Sequence, residues 1–164
     1  MLIGESFVGE GPNAAHINTV LGERSGVVGA AWAAALASPS RGHAPFLVAA
    51  QPGVAVTPPT LFVNKAHIAG DRHADMTWGP AQAGVAKGVA LALSEGTIEA
   101  ARCPELVLIV AVWVNPSADD ADHVFANNTD ATLQALRNAS AGLPRPEQAI
   151  EAGLEPWNPF YRPA

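Results

Sequence analysis

The chain has 164 residues, a length for one domain, and a hydrophobic fraction of 49%, enough apolar material for a core. Its formal net charge is −6, with nine Lys and Arg and no basic run, which argues against a nucleic-acid surface and against docking on anionic lipid. One cysteine, Cys103, leaves no intramolecular disulfide to form, and the N-terminus carries no signal-like segment, so the expectation is a cytoplasmic protein in a reducing compartment.

The predicted elements begin with a strand over 2–9 and a second over 14–22, joined by the hairpin-like GEGPN. His16 and Asn18 stand two apart on the second strand and therefore share a face. The Ala-rich run 25–38 predicts a helix, 39–45 a loop, and FLVAA (46–50) a short buried strand. The proline-rich 51–59 is a connection, 60–68 another strand, and 69–80 a polar turn-rich segment. A helix is expected to start at Pro80, the favoured first helical position, and to end near Glu95–Gly96. A strand over 105–114 follows, then a helix within 116–142 with acidic residues at its start and Gly142 as its cap. The tail 143–164, rich in proline and aromatics, is a docked arm or partly disordered, separate from a single domain over 1–142.

This order predicts an α/β chain with helices on one side of a mixed sheet. The apolar run LVLIVAVWV (106–114) is too short to span a bilayer as a helix. It does not alternate, so both its faces call for burial. Helices on one side cover one face; a second copy of the chain is the expected cover for the other, with the tail as the competing one.

Nucleotide-phosphate loops, a nucleophile elbow and paired cysteines are all missing. Cys103 precedes a buried strand and is expected to be inert. HIAGDRHAD (67–75) gathers His67, Asp71, His73 and Asp75, but at no standard metal spacing, and a polar loop is the commoner explanation. His43 and His123 are expected at the surface. His16 is either a hydrogen-bonded, partly buried histidine or an acid–base group. Lys65, a charge on an apolar strand, is either an edge-strand lysine or a cation held in a cleft for an anionic or carbonyl-bearing ligand.

GESFVGEG…AAHI, TLFVNK, WGPAQAGVAKGV and SADDA together resemble the formaldehyde-activating enzyme family, closely over residues 4–92 and more loosely to 142. The resemblance implies a two-layer sandwich of helices on a mixed sheet with a left-handed βαβ crossover. It implies a lyase of one-carbon metabolism, methylotrophy and formaldehyde detoxification. Such an enzyme condenses formaldehyde with tetrahydromethanopterin as co-substrate to give methylene-tetrahydromethanopterin and water. It further implies a cytoplasmic homopentamer without metal, with the pterin held between subunits. His16 falls on the family's catalytic acid, and Asn18, Leu47, Lys65, His67 and Gln82 on its pterin-contacting positions. Two of these depart from the pattern: the family usually has aspartate at position 18 and threonine at 67. A carboxylate at 18 would favour charged His16, so the imidazole is expected to be harder to protonate with Asn18. The departures leave two alternatives: a non-catalytic pterin- or aldehyde-binding paralogue, or an enzyme for another carbonyl and amine pair.

Overall fold

The computed structural model describes residues 1–163. Strands β1 (Leu2–Val8) and β2 (Ala15–Glu23) form an antiparallel hairpin whose register pairs Phe7 with His16 and Glu5 with Asn18. Helix α1 (Val27–Ala37) follows. The expected strand over 46–50 breaks at Val48 into β3 (Phe46–Leu47) and β4 (Ala49–Gln51). Part of the expected connection pairs back on β4 as β5 (Val54–Ala55), a two-stranded ribbon. β6 covers Thr60–Asn64, shorter than the expected 60–68. It stops where the Asn64 amide turns to donate to the Gly42 and Ala66 carbonyls.

The segment 69–80 is not the expected turn. Helix α2 (Asp71–Met76) continues through a π turn at Thr77–Ala81 into α3 (Gln82–Ser94). Pro80 therefore lies inside a helical stretch rather than at its start; the widened turn accommodates a residue that has no N–H to donate. β7 (Leu106–Trp113) and α4 (Ala121–Ser140) match expectation, with Asp120 capping α4 by accepting from the His123 amide. The tail contains a further helix, α5 (Pro146–Leu154).

The main sheet runs β1-β2-β7-β6-β3. Only β6 and β7 are parallel, and α2–α3 forms the crossover between them. This is the expected architecture of helices on a mixed sheet. Ile17, Phe62, Leu108, Val110 and Val112 are fully buried in the core, which includes residues of α3 and α4. Each contributes about 1.5–3 kcal/mol by leaving water. α3 and α4 approach closely because Gly84 and Gly88 face α4: a Cβ on Gly84 would stand 2.6 Å from the Phe125 carbonyl oxygen.

α1 is the helix not on that side. Its Val28 fills the space over Gly22, on the face of β2 opposite to Thr19. It covers one end of the second face only. α1 is apolar around its circumference, yet Val28 is its one buried residue, and Val27 is 76% exposed. The remainder of this face presents Ile3, Glu5 and Phe7 from β1, His16 and Asn18 from β2, and Ala111 and Trp113 from β7. At the far end the tail returns over it: Phe160 meets Trp113 and Phe7 edge-on, with ring centroids 5.4 and 6.3 Å away.

Candidate active site

Strand register arranges this open face in rows. One row runs Phe7, His16, Trp113 across β1, β2 and β7; the next runs Glu5, Asn18, Ala111. Val63 of β6 lies beside Ala111, so Lys65, two residues on, continues the first row. Lys65 stands one residue beyond β6, but its N–H still donates to the Val112 carbonyl at 2.7 Å, which extends the ladder. β6 is an interior strand of the sheet. Lys65 is therefore not guarding an edge.

Two diagonal contacts tie the rows together. Glu5 reaches His16, with Oε1 3.0 Å from Nε2. Lys65 Nζ donates to Asn18 Oδ1 at 2.8 Å. The second contact spans β7, and Ala111 is the residue it must clear; only a methyl group stands there. Burial is the main cause that pushes the His16 pKa below the usual histidine value. The Lys65 ammonium pushes it the same way, and Glu5 opposes both. Burial also lowers the Lys65 amine to about 8, against the opposing charge of Glu5. A cleft of about 860 Å³ opens at this end of the sheet, between Glu5, Phe7 and His16 on one side and Trp157, Phe160 and Arg162 of the tail on the other.

The remaining site candidates are spread around this network. Leu47 is exposed on β3, paired with Leu61 beyond β7. His67 is exposed in the loop after β6, its ring against Gly42 and 5.8 Å from that of His43. Gly42 has φ +78° and leaves no room for a Cβ beside that ring. Gln82, at the start of α3, accepts from the Ala49 N–H at 3.0 Å and so anchors β4. No hydrogen bond or ion pair among the described residues joins Leu47, His67 or Gln82 to His16.

His73 is buried and structural: Nδ1 accepts from the Ala69 N–H at 3.0 Å and Nε2–H donates to the Val114 carbonyl at 3.0 Å. That pattern requires the neutral ring. It turns His73 inward, away from the exposed His67. Cys103 is buried beside the start of β7. No helix among the described residues is long and apolar enough to cross a membrane.

Glu5 was missed as a site residue. Its signal lay in the hairpin: once GEGPN is a tight connection, position 5 faces position 18, diagonal to His16. The tail residues of the cleft had no such signal, because no periodicity points Trp157 or Phe160 toward His16.

A histidine, a carboxylate and an amine share the open part of one face of a helix-backed mixed sheet, and these are groups that acid–base chemistry uses. Residues 3–160 match the pattern of the family described as formaldehyde-activating enzyme, and the chain belongs to that family. The match extends well into the tail, beyond the stretch the motifs covered. The chain is 37% identical over 159 residues to the 5,6,7,8-tetrahydromethanopterin hydro-lyase of Methanosarcina barkeri, covering 97% of this chain and 89% of that protein. It is 39% identical to the bifunctional enzyme Fae/Hps of Methanothrix thermoacetophila, over 98% of this chain and 44% of that protein. The corresponding enzyme of Methanococcoides burtonii is 40% identical over 88% of this chain and 36% of its own length. The chain thus spans less than half of these bifunctional relatives.

Proposed function

We propose that the chain condenses formaldehyde with tetrahydromethanopterin to give methylene-tetrahydromethanopterin and water, with His16 as general acid. The observation that carries this reading is His16 itself, held by Glu5 on the open sheet face of a chain in this family. The chemistry needs such a group. A pterin nitrogen adds to the aldehyde carbon to form a carbinolamine. Its hydroxyl leaves only if protonated as the C–O bond breaks, and the resulting iminium is closed by the second nitrogen. An imidazolium supplies that proton and is recharged from solvent, which is worth roughly 10²–10⁴-fold. Burial and Lys65 make the imidazolium a stronger acid, while Glu5 keeps it from being depleted.

Asn18, Leu47, Lys65, His67 and Gln82 are proposed to contact the pterin, by their match to the family's positions. No metal is assigned a role. The working unit is proposed to be 1–142 with the tail as an accessory arm, in the cytoplasm. A homo-oligomer, a pentamer by family resemblance, is proposed to cover the open face. The apolar, exposed α1 supports a second copy as the cover, because a helix apolar all round belongs in an interior.

The test is the rate of methylene-tetrahydromethanopterin formation above the spontaneous rate, beside His16→Ala. Expected is a protein-dependent rate that the variant loses. Pterin binding with no acceleration would instead make the chain a binding paralogue, a reading that Asn18 favours because its carbonyl is engaged by Lys65 and carries no charge toward His16.

A further inference from the structure

Lys65 has a setting unlike an ordinary surface lysine. It is half-buried on an interior row of the sheet, and the one hydrogen-bond partner of its ammonium among the described residues, Asn18 Oδ1 at 2.8 Å, is neutral. No carboxylate among the described residues forms an ion pair with it; Glu5, whose charge acts on it, is engaged by His16. Asn18 and His16 are alternate residues of one strand face, about 7 Å apart. An amine held at Asn18 therefore stands on the same sheet face as the proton donor, one same-face position along β2 from it. The other lysine, Lys87, is exposed on α3, with its ammonium 5.2 Å from the centre of the Phe125 ring.

We propose that Lys65 is the amine that captures the aldehyde, holding it covalently until the acceptor amine takes it. The inference rests on the condensation reading above and changes its first step: Lys65, not the pterin nitrogen, adds to the free aldehyde, and His16 protonates the hydroxyl of the lysine carbinolamine. Uncharged Lys65 Nζ adds to the carbonyl carbon of formaldehyde; the carbonyl π bond breaks and a Lys–NH–CH₂OH carbinolamine forms. His16 gives its proton to the hydroxyl, the C–O bond breaks, and water leaves a Lys–NH⁺=CH₂ iminium. The first nitrogen of the acceptor, a secondary amine, adds to this carbon and returns a proton to His16. Protonation of Lys65 then breaks its C–N bond and frees the amine. The carbon stays on the acceptor as an iminium, which the acceptor's second nitrogen closes with loss of the last proton. Two protons are given and two returned, and one water is released. The lowered amine pKa, about 8, leaves a usable uncharged fraction near neutrality. Asn18 is a positioning residue here: aspartate would offer the ammonium a counter-ion and hold it charged.

The chain's two lysines make the test direct. The whole protein is treated with limiting formaldehyde and cyanoborohydride near neutral pH, which reduces any iminium to an N-methyl amine. Mass spectrometry of the peptides then reads the rate at each amine; the amino terminus falls on a separate peptide. Lys65 is expected to be methylated at least about tenfold faster than Lys87, and Asn18→Asp to erase most of that ratio. Equal or slower labelling of Lys65 overturns the proposal. Lys65→Arg keeps the cation but forms no iminium, so turnover should fall to the spontaneous rate; full turnover in that variant overturns it as well. Labelling needs no pterin. Fast Lys65 labelling without turnover would sink the condensation reading and leave the capture intact, whereas turnover without preferential labelling would do the reverse.

Discussion

Glu5→Gln preserves the size of the side chain and its hydrogen bond to His16 but removes its charge. Two influences lower the His16 pKa, burial and the Lys65 ammonium, and Glu5 is what raises it. With the charge gone, the imidazole becomes harder to protonate. The magnitude follows from exposure: the His16 and Glu5 side chains are 37% and 61% accessible, so their 3.0 Å contact is screened by water. Such pairs are worth about 0.2–1 kcal/mol. That corresponds to a loss of about 1.4- to 5-fold in proton affinity. The assay is an NMR titration of the His16 ring in both proteins. The same change should move the pH–rate profile, whose activity falls as pH rises through the His16 pKa, toward lower pH. The sign for stability is also set. A histidine harder to protonate when folded than its ordinary 6.5 stabilises the fold above that value, and this contribution is lost as pH falls below it. Glu5→Gln should deepen that acid loss. An unchanged or raised His16 pKa would refute the assignment of Glu5.

Gly88→Ala should destabilise the fold by about 1–3 kcal/mol in denaturant unfolding, because the new methyl would meet the Thr129 carbonyl oxygen at 2.8 Å and force α3 from α4. His73→Phe fills similar space but strands the Ala69 N–H and the Val114 carbonyl. It should cost about 1–3 kcal/mol per unpaired group in thermal or chemical melts, with little effect on substrate affinity. Phe160→Ala removes a mostly exposed ring, so its stability cost should stay below about 1.5 kcal/mol, while loss of the cleft wall should raise KM more than it lowers kcat. A KM left unchanged would remove the tail from the site.

Much of the fold was legible in local pattern. The hairpin of β1 and β2, the apolar strand β7 and the acidic start of α4 follow from periodicity, turn residues and capping, which are properties of neighbouring residues. The shared face of His16 and Asn18 was legible for the same reason. Where prediction and structure part, a distant partner made the difference. The 69–80 segment is helical because its polar residues coil over a buried His73 that bonds Val114, 41 residues away. FLVAA splits because Phe46 and Leu47 pair with β6 while Ala49 and Gln51 pair with β5, Val48 bonding to both Thr60 and Val56.

The site divides along the same line. Residue type and spacing were enough to single out an imidazole and a lysine on strands and to mark the family. Tertiary structure decided who faces whom. It put Lys65 beside the interior strand β7, gave it Asn18 across Ala111, and folded Phe160 back over Trp113. Side-chain alternation along one strand is set by its own backbone, so a sequence carries it. The order β1-β2-β7-β6-β3 brings together residues nearly 50 positions apart, and that order depends on burying the whole core at once.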